Sequence, residues 1–268
     1  MILLLIAACG NTPPQNPSNQ ASSLETPDLP SVEQTWVQPT MTPQQVADAM
    51  SEALSTPPDP GAINTAYRFL MTQGDSVCPG NDENITDTWL YGCDAETGYS
   101  YAGVSSWIEE VPDEMPGMTL LQGVSGDFWI EDPDGQRLEG GGHSVEVASD
   151  SIWVGDMGGS WRWAGGDPWL SHGFSGSISM EFIPGLVAQM SGAADINGTH
   201  IAASELSLNA SCDYGPSGSL SLRDPNGGWY TMHFTECDPC ASVTFEGEEH
   251  GESCVDFTGF IQALQLRL

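Results

Sequence analysis

The sequence contains no lysine, and its basic residues are five arginines: Arg68, Arg137, Arg162, Arg223 and Arg267. Against these stand 37 acidic residues, which give a formal net charge of −32. Binding of nucleic acid needs clustered Lys and Arg to neutralise phosphates, so this composition excludes a nucleic-acid partner. It also excludes a polybasic contact with a membrane surface and a phosphate site that depends on lysine.

Long hydrophobic stretches are missing as well. A membrane-spanning helix needs about 20 consecutive apolar residues, and no stretch of the chain approaches that length. Charged residues make up only 16 % of the chain, compared with about 25 % in an ordinary globular protein. We therefore expect a protein without a membrane-spanning helix, with an acidic surface that arises from a shortage of bases.

The first ten residues form a short apolar run that ends in small residues and a cysteine. Within it, Ile6-Ala7-Ala8-Cys9 resembles the bacterial lipobox, although no Lys or Arg precedes the run. The resemblance implies that residues 1–8 are a lipoprotein signal peptide and that Cys9 is lipidated. Because Gly10 rather than Asp follows, the resemblance also implies a lipid anchor in the cell outer membrane, with the protein facing the periplasm or the cell surface. The alternative interpretation is a buried strand with an incidental cysteine.

The cysteines support export. There are seven, and removal of Cys9 leaves an even number, which is typical of disulfide bonding in an oxidising compartment. These six are Cys78, Cys93, Cys212, Cys237, Cys240 and Cys254. We expect Cys78 to pair with Cys93 across one polar loop. For the last four, Cys212–Cys237 with Cys240–Cys254 is slightly favoured, and Cys212–Cys240 with Cys237–Cys254 stays open.

The chain before the body divides into a tether and a helical hairpin. Residues 9–41 are rich in Pro, Asn, Gln, Ser and Thr and are predicted to be disordered. Residues 42–74 are predicted to form two helices. Thr42 before Pro43 and Asp59 before Pro60 each provide an N-cap followed by a first-turn proline. Apolar residues then recur at helical spacing, and Gly74 ends the second helix, whose apolar face we expect to pack on the following region.

From residue 75 to residue 268 the pattern has period two, as in Ile178, Met180 and Phe182. Clusters of Gly, Asn and Asp interrupt it about every ten residues, which is typical of antiparallel strands. The predicted fold class is therefore mainly β: a disulfide-bonded antiparallel meander, preceded by a short helical hairpin. Closure as a sandwich, as a barrel or as a curved sheet stays open.

Two hairpins within this region echo each other. Residues 125–135 and 217–227 both read Ser-Gly, then an alternating strand, then Asp-Pro-[Asp/Asn]-Gly. The last four residues suit a type I turn followed by a glycine with positive φ. This turn predicts that Leu222 pairs with Tyr230 and that Ile130 pairs with Leu138. Two independent hairpins with a common turn are favoured over an internal duplication, because nothing beyond the hairpins aligns.

Two patterns could bind metal ions. Cys237, Cys240, His250 and Cys254 have the ligand types and the rough spacing of a Cys3His zinc site. Acidic loops could supply the oxygens that calcium needs; they are residues 81–87, Asp132 with Asp134, and Glu246, Glu248 and Glu249. We favour disulfides over zinc because the chain is exported, and solvated carboxylates over calcium because no EF-hand spacing is present. No cofactor is predicted.

The chain is unusually rich in tryptophan, with nine residues of this type. Four lie close together: Trp153, Trp161, Trp163 and Trp169. Trp161 and Trp163 lie on one face of a predicted strand, with Arg162 on the other face. If these rings are exposed they could stack on sugars, which makes a carbohydrate-binding module one hypothesis. The alternative is that the rings fill the core where neighbouring glycines leave room.

No catalytic motif is present, since both Gly-x-Ser-x-Gly and His-Glu-x-x-His are absent. We therefore expect a protein that is not an enzyme. The paired cysteines and the Asp-Pro-x-Gly turns resemble those of uncharacterised acidic, disulfide-rich surface lipoproteins of predatory bacteria. The expected function is a structural or binding role in the cell envelope, with a glycan or an envelope protein as partner. A carbohydrate-binding module over Trp153–Trp169 and a divalent-cation-dependent protein are the alternatives.

Overall fold

The computed structural model describes residues 37–80, 88–90, 92–110, 118–149, 151–164, 172–235 and 237–267. They belong to one unit, Val37–Leu268. The helices are α1 (Pro43–Ser55), α2 (Pro60–Met71) and α3 (Thr258–Gln265). The strands are β1 (Thr88–Leu90), β2 (Cys93–Asp94), β3 (Ser100–Glu110), β4 (Met118–Glu131), β5 (Arg137–Ser149), β6 (Trp153–Ala164), β7 (His172–Ile183), β8 (Val187–Ile196), β9 (Thr199–Asn209), β10 (Gly215–Arg223), β11 (Trp229–Phe234), β12 (Cys240–Phe245) and β13 (Glu248–Cys254).

The strands form one antiparallel sheet in which neighbours in sequence are neighbours in space. β1 and β2 both pair with β3, and from β3 onward each strand pairs with the next as far as β13. Within the described residues β13 pairs only with β12, so the sheet is open. The predicted fold class, a mainly β antiparallel meander after a helical hairpin, is confirmed. Of the three architectures that the sequence left open, the curved sheet is the one that does not close, and the structure forms a single open sheet.

The two predicted helices begin at their predicted caps. The Thr42 hydroxyl accepts a hydrogen bond from the Gln45 amide at 3.3 Å, and the Gln45 side chain accepts one from the Thr42 amide at 2.8 Å. This reciprocal pair is a capping box. The Asp59 carboxylate caps α2 by accepting a hydrogen bond from the Ala62 amide at 2.9 Å. Each helix buries one apolar face against the sheet, as its spacing of apolar residues predicts.

A third helix lies within residues 75–268, for which the sequence predicts an antiparallel β domain. Phe257, Phe260, Ile261 and Leu264 recur at helical spacing, and all four are buried. The sequence carried this signal, but it covers only two turns and follows a long run of alternating strands. α3 packs on α1 so closely that a Cβ at Gly259 would come within 2.7 Å of the Ser55 side chain. No helix in the described part of the chain has the length and apolar character needed to span a membrane.

The core lies between the three helices and one face of the sheet, called here the inner face. Laid flat, twelve strands would span about 50 Å, whereas the longest helix, of 13 residues, is only about 20 Å long. Even so, Ile178 on β7 and Met190 on β8 are each 1 % exposed. We infer that the sheet curves around the helices so that its own inner face covers these middle strands.

Contacts at the two ends of α3 agree with a curved sheet. Phe257, at the start of α3, packs edge-on against Phe234 of β11, with 5.4 Å between ring centroids. Arg267, just beyond its end, lies 5.8 Å from the ring of Trp153 on β6 and pairs with Asp59 at the cap of α2. A segment of eleven residues therefore bridges strands that are five positions apart in the sheet order.

A row of glycines crosses four neighbouring strands at directly opposed positions. It consists of Gly126, Gly142, Gly159 and Gly176 and is called here the glycine seam. All four have positive φ, for example 139° at Gly142 and 93° at Gly159. A Cβ at Gly142 would collide with the backbone of Gly158, and one at Gly159 with the backbone of Gly141. Only glycine fits this conformation at this strand spacing, and glycine kinks of this kind let a sheet bend.

Three disulfides join Cys78 to Cys93, Cys212 to Cys237 and Cys240 to Cys254. The first ties the chain after α2 to β2, the second ties the turn after β9 to the turn after β11, and the third joins paired positions of β12 and β13. The predicted pairing of Cys78 with Cys93 is confirmed. The favoured pairing of the last four cysteines is also confirmed.

Candidate functional site

The tryptophans proposed as a sugar-binding face are part of the core. Trp153, Trp161 and Trp163 are 0, 2 and 5 % exposed, and Trp169 lies outside the described residues. The expectation of an exposed aromatic face is therefore wrong for these three rings. The physical reason is that glycines leave room for them: a Cβ at Gly140 would collide with the Trp161 ring, and one at Gly155 with the Trp153 ring. The core-filling alternative is the one that the structure shows.

Trp153 also belongs to a buried polar cluster under α2. Its Nε1 donates a hydrogen bond to Glu146 Oε1 at 2.6 Å, and Gln122 Nε2 donates one to Glu146 Oε2 at 2.9 Å. The carboxylate lies beside Gly61 in the first turn of α2, where a Cβ would come within 2.6 Å of it. A carboxylate is favoured at a helix N-terminus, so Glu146 holds α2 on the sheet. Its role is structural, and it is 8 % exposed.

The cysteines of the proposed zinc site are divided between two disulfides. Cys237 is bonded to Cys212, and Cys240 is bonded to Cys254, so none of the three offers a thiolate. His250 Nε2 instead approaches the Met41 carbonyl oxygen at 2.7 Å. The Cys3His interpretation is therefore wrong for this structure. Within the described residues, no group of three or more His, Cys, Asp or Glu side chains converges as metal ligands would.

The acidic loops proposed for calcium are used locally where they are described. Asp132 Oδ1 accepts hydrogen bonds from the amides of Asp134 and Gln136 at 2.9 and 2.8 Å, which closes its own turn. Glu246 accepts one from the Trp229 amide at 2.7 Å. Residues 81–87 lie outside the described residues. In the described part of the chain, no group of three or more His, Cys, Asp or Glu side chains forms a metal site in their place.

The chain just before α1, residues 37–41, is fastened to the β10–β11 turn and is called here the N-terminal strap. Thr40 donates two hydrogen bonds to Asp224 Oδ2, from its amide at 2.8 Å and from its hydroxyl at 2.7 Å. The Tyr230 hydroxyl accepts hydrogen bonds from the amides of Thr40 and Met41, both at 2.9 Å, and donates one to Asp224 at 2.5 Å. The four bonds donated by the strap connect residues 184 or more positions apart in sequence.

The electrostatics of this junction follow from burial opposed by hydrogen bonding. Asp224 is 2 % exposed. Burial alone would raise its pKa, but hydrogen bonds from Tyr230, Asn226 and Thr40 outweigh burial and lower the pKa to about 2. Burial and the neighbouring carboxylate raise the pKa of Tyr230. The junction therefore holds an ionised carboxylate and a neutral phenol at neutral pH.

A different surface has the geometry of a binding site. The cleft has a volume of about 610 Å³ and lies between α3 and the turns that the Cys212–Cys237 disulfide joins; it is called here the disulfide cleft. Its lining comes from residues 212–216, from Cys237 and Pro239, and from residues of the segment 255–265. Ligand sites in proteins are commonly concave spaces of about 300–1,000 Å³ with an apolar floor and a few polar groups.

The backbone around the disulfide cleft is unusual. Asp213, Tyr214 and Cys237 all line it and have φ values of 53°, 60° and 70°. Non-glycine residues adopt this left-handed conformation rarely, and it costs free energy unless the surroundings impose it. Here the disulfide and a hydrogen bond from the Gly185 amide to the Tyr214 hydroxyl at 3.2 Å fix the turn. The cleft wall is therefore held in one shape.

Two smaller clefts differ in charge from the disulfide cleft. One, of about 510 Å³, is lined by Arg223 and His200 together with Asp224. The other, of about 430 Å³, is lined by Arg162 together with Asp195. The disulfide cleft is lined by Asp213 and Asp256, and none of the described residues that line it is basic.

The histidines lie mainly on the outer face of the sheet, opposite the core. His143 Nε2 lies 2.7 Å from Asp156, His200 Nε2 lies 3.3 Å from Asp195, and His233 Nδ1 lies 2.7 Å from the Ser219 hydroxyl. None of these pairs completes a serine, histidine and carboxylate arrangement among the described residues.

The disulfide cleft is not predicted by the sequence as a site, because its walls come from three segments that only the fold brings together. A partial signal was the helical spacing after Phe257, which places Gln262 and Gln265 on α3. Comparison with protein-family models, with curated proteins and with solved structures finds no match to this chain.

Proposed function

We propose that this chain is an exported, lipid-anchored protein of the cell envelope with a binding or structural role. The observation that carries the proposal is the use of cysteine. All six cysteines of the body are paired in three disulfides, and Cys9, in the lipobox-like sequence, is the one that remains. Disulfides of this kind persist in oxidising compartments.

The N-terminal strap supports an anchoring role for the N-terminal end. Thr40 and Met41 lie close to the start of the described residues and are held by Asp224 and Tyr230 on the sheet. A lipid anchor at Cys9 would therefore act on a segment that several hydrogen bonds hold on the sheet, two of them to an ionised group, and such bonds are stronger than neutral ones.

Expression of the full chain in a Gram-negative host with labelled palmitate tests the lipid anchor. We expect label in the protein, loss of the label in Cys9→Ala, and co-fractionation of the unmodified sequence with outer membranes. Cys212→Ala serves as the matched control, because it removes a cysteine outside the lipobox and should keep the label. An unlabelled protein that is exported and soluble would contradict the proposal.

A further inference from the structure

We propose that the disulfide cleft binds an organic cation, namely an amine or guanidinium group attached to an apolar portion. This ligand class goes beyond the envelope role proposed above and does not depend on the lipid anchor. The argument combines the shape of the cleft, the charge of its walls and the rigidity of its turns.

The floor of the cleft can receive an apolar group. Val255, Phe257 and Ile261 lie beneath it, and they are 2, 6 and 9 % exposed. Pro216 and Pro239 contribute further apolar surface at the walls. The cleft of about 610 Å³ is large enough for a small organic molecule but shallow enough to remain open to solvent. A ligand with an apolar portion would remove this surface from water and gain free energy in doing so.

The walls supply negative charge without a compensating base. Asp213 and Asp256 are both exposed, and neither takes part in an ion pair among the described residues. Hydrogen bonds from the Thr258 side chain and amide hold the pKa of Asp256 below its ordinary value, so it is ionised at neutral pH. The amide oxygens of Gln262 and Gln265 can accept further hydrogen bonds from N–H groups.

The net charge of the whole chain favours a positively charged ligand. At a net charge of −32, the long-range field of the chain disfavours the approach of an anion and favours that of a cation. The two smaller clefts carry Arg223 or Arg162 beside a carboxylate, so their local charge is partly balanced. The disulfide cleft is the one of these three in which carboxylates face solvent with no basic side chain in the lining.

Two disulfides restrain the turns that carry the cleft. Cys212–Cys237 joins two of its walls, and Cys240–Cys254 fastens the strands that lead into the third. A wall of fixed shape loses little conformational entropy on binding, which favours affinity. Left-handed residues such as Asp213 and Tyr214 are enriched at ligand clamps, where the surroundings enforce their conformation.

Fluorescence titration with dansylcadaverine, a primary alkylamine that carries an apolar fluorophore, tests the proposal. The full chain with Cys9→Ser is used, so that no detergent is needed. The double variant Asp213→Asn with Asp256→Asn removes both wall carboxylates. Asn adopts the left-handed conformation readily at position 213, and at position 256 its side-chain oxygen can still accept the hydrogen bond from the Thr258 amide, so this variant should fold. The matched control is Glu248→Gln with Glu249→Gln, which changes the net charge equally on the β12–β13 hairpin.

We expect saturable binding of one probe per chain, and at least tenfold weaker binding of the dansyl analogue with a terminal hydroxyl in place of the amine. The cleft variant should raise the dissociation constant about tenfold, because two partly exposed charge contacts are lost. The control variant should stay within about twofold. Equal weakening in both variants, equal affinity for the neutral analogue, or absence of saturable binding up to millimolar probe would each overturn the proposal.

Discussion

The two Asp-Pro-x-Gly hairpins have the same turn and different surroundings. In the β4–β5 turn the Gly135 amide donates to the Asp132 carbonyl oxygen at 3.0 Å, and in the β10–β11 turn Gly227 donates to Asp224 at 2.8 Å. Each aspartate also accepts a hydrogen bond from the amide two residues later. Only Asp224 accepts further bonds from the N-terminal strap and is buried. The local sequence therefore determines the turn conformation, while a distant segment determines whether the turn aspartate is buried and bonded to the strap.

The residue opposite the turn explains why only one hairpin receives the strap. Tyr230 pairs with Leu222 on β10, and its hydroxyl contacts both Asp224 and the strap. The equivalent position in the β4–β5 hairpin is Leu138, which pairs with Ile130 and has no polar atom to offer. The Tyr230 hydroxyl thus distinguishes the β10–β11 turn, which binds the N-terminal strap, from the β4–β5 turn, which does not.

Removal of the Asp224 carboxylate should have the largest effect on this difference. In Asp224→Ala the Thr40 amide, the Thr40 hydroxyl and the Tyr230 hydroxyl lose their shared acceptor, so we expect the free energy of unfolding to fall by about 3 kcal/mol. The measurement is urea unfolding at pH 7. Asp224→Asn keeps the turn hydrogen bond and should lose less. A loss below about 1 kcal/mol for the alanine variant would show that the strap contributes little.

Acid should weaken the junction at Asp224 selectively. The folded-state pKa of about 2 lies below the ordinary value of 3.8, so its contribution is fully present above pH 4 and is lost as the pH falls towards 2. We expect wild type to lose up to about 2 kcal/mol more than Asp224→Asn over that interval. Urea midpoints at pH 5 and pH 2.5 measure this, and parallel losses in both proteins would contradict the lowered pKa.

Removal of the Tyr230 hydroxyl should make the β10–β11 hairpin behave more like the β4–β5 hairpin. Tyr230→Phe leaves the strap amides of Thr40 and Met41 with one acceptor fewer, and we expect a loss of about 1.5 kcal/mol. Hydrogen exchange at these two amides should accelerate more than exchange in β4 or β5. The same exchange rates at Thr40 and Met41 in both proteins would show that the phenol does not hold the strap.

The smallest effect belongs to the self-contained turn. Asp132→Ala removes only the hydrogen bonds to Asp134 and Gln136, at a half-buried and solvent-accessible position. We expect a loss of about 0.5–1 kcal/mol. Urea unfolding beside Asp224→Ala under the same conditions checks the ratio. Equal losses in the two alanine variants would mean that the common turn, and not the strap, accounts for the stability at both sites.

The sequence predicted features that depend on neighbouring residues. Thr42 and Asp59 mark helix starts through their own side chains, and the pairing of Leu222 with Tyr230 follows from the length of one turn. The disulfides were also predictable, because each closes a loop of at most 25 positions.

Features that depend on the whole fold were not predictable in this way. Alternation places Trp161 and Trp163 on one face of β6, but which face is buried depends on where the helices pack. The disulfide cleft, the strap junction and the environment of Glu146 each combine segments that are distant in sequence. A single short signal, the helical spacing after Phe257, was readable and was outweighed by the strands before it.

The glycine seam also bears on the choice of register during folding. Strands β6 to β8 are rich in Ser, Gly and Ala, so sliding one strand by two residues keeps every side chain on its own face. Such a slip of β6 against β5 would bring Met157 or Trp161 opposite Gly142 in place of Gly159. No side chain fits there, because a Cβ would strike the neighbouring backbone. The seam therefore disfavours shifted strand registers. Hydrophobic burial alone would give these registers nearly the same free energy as the native one.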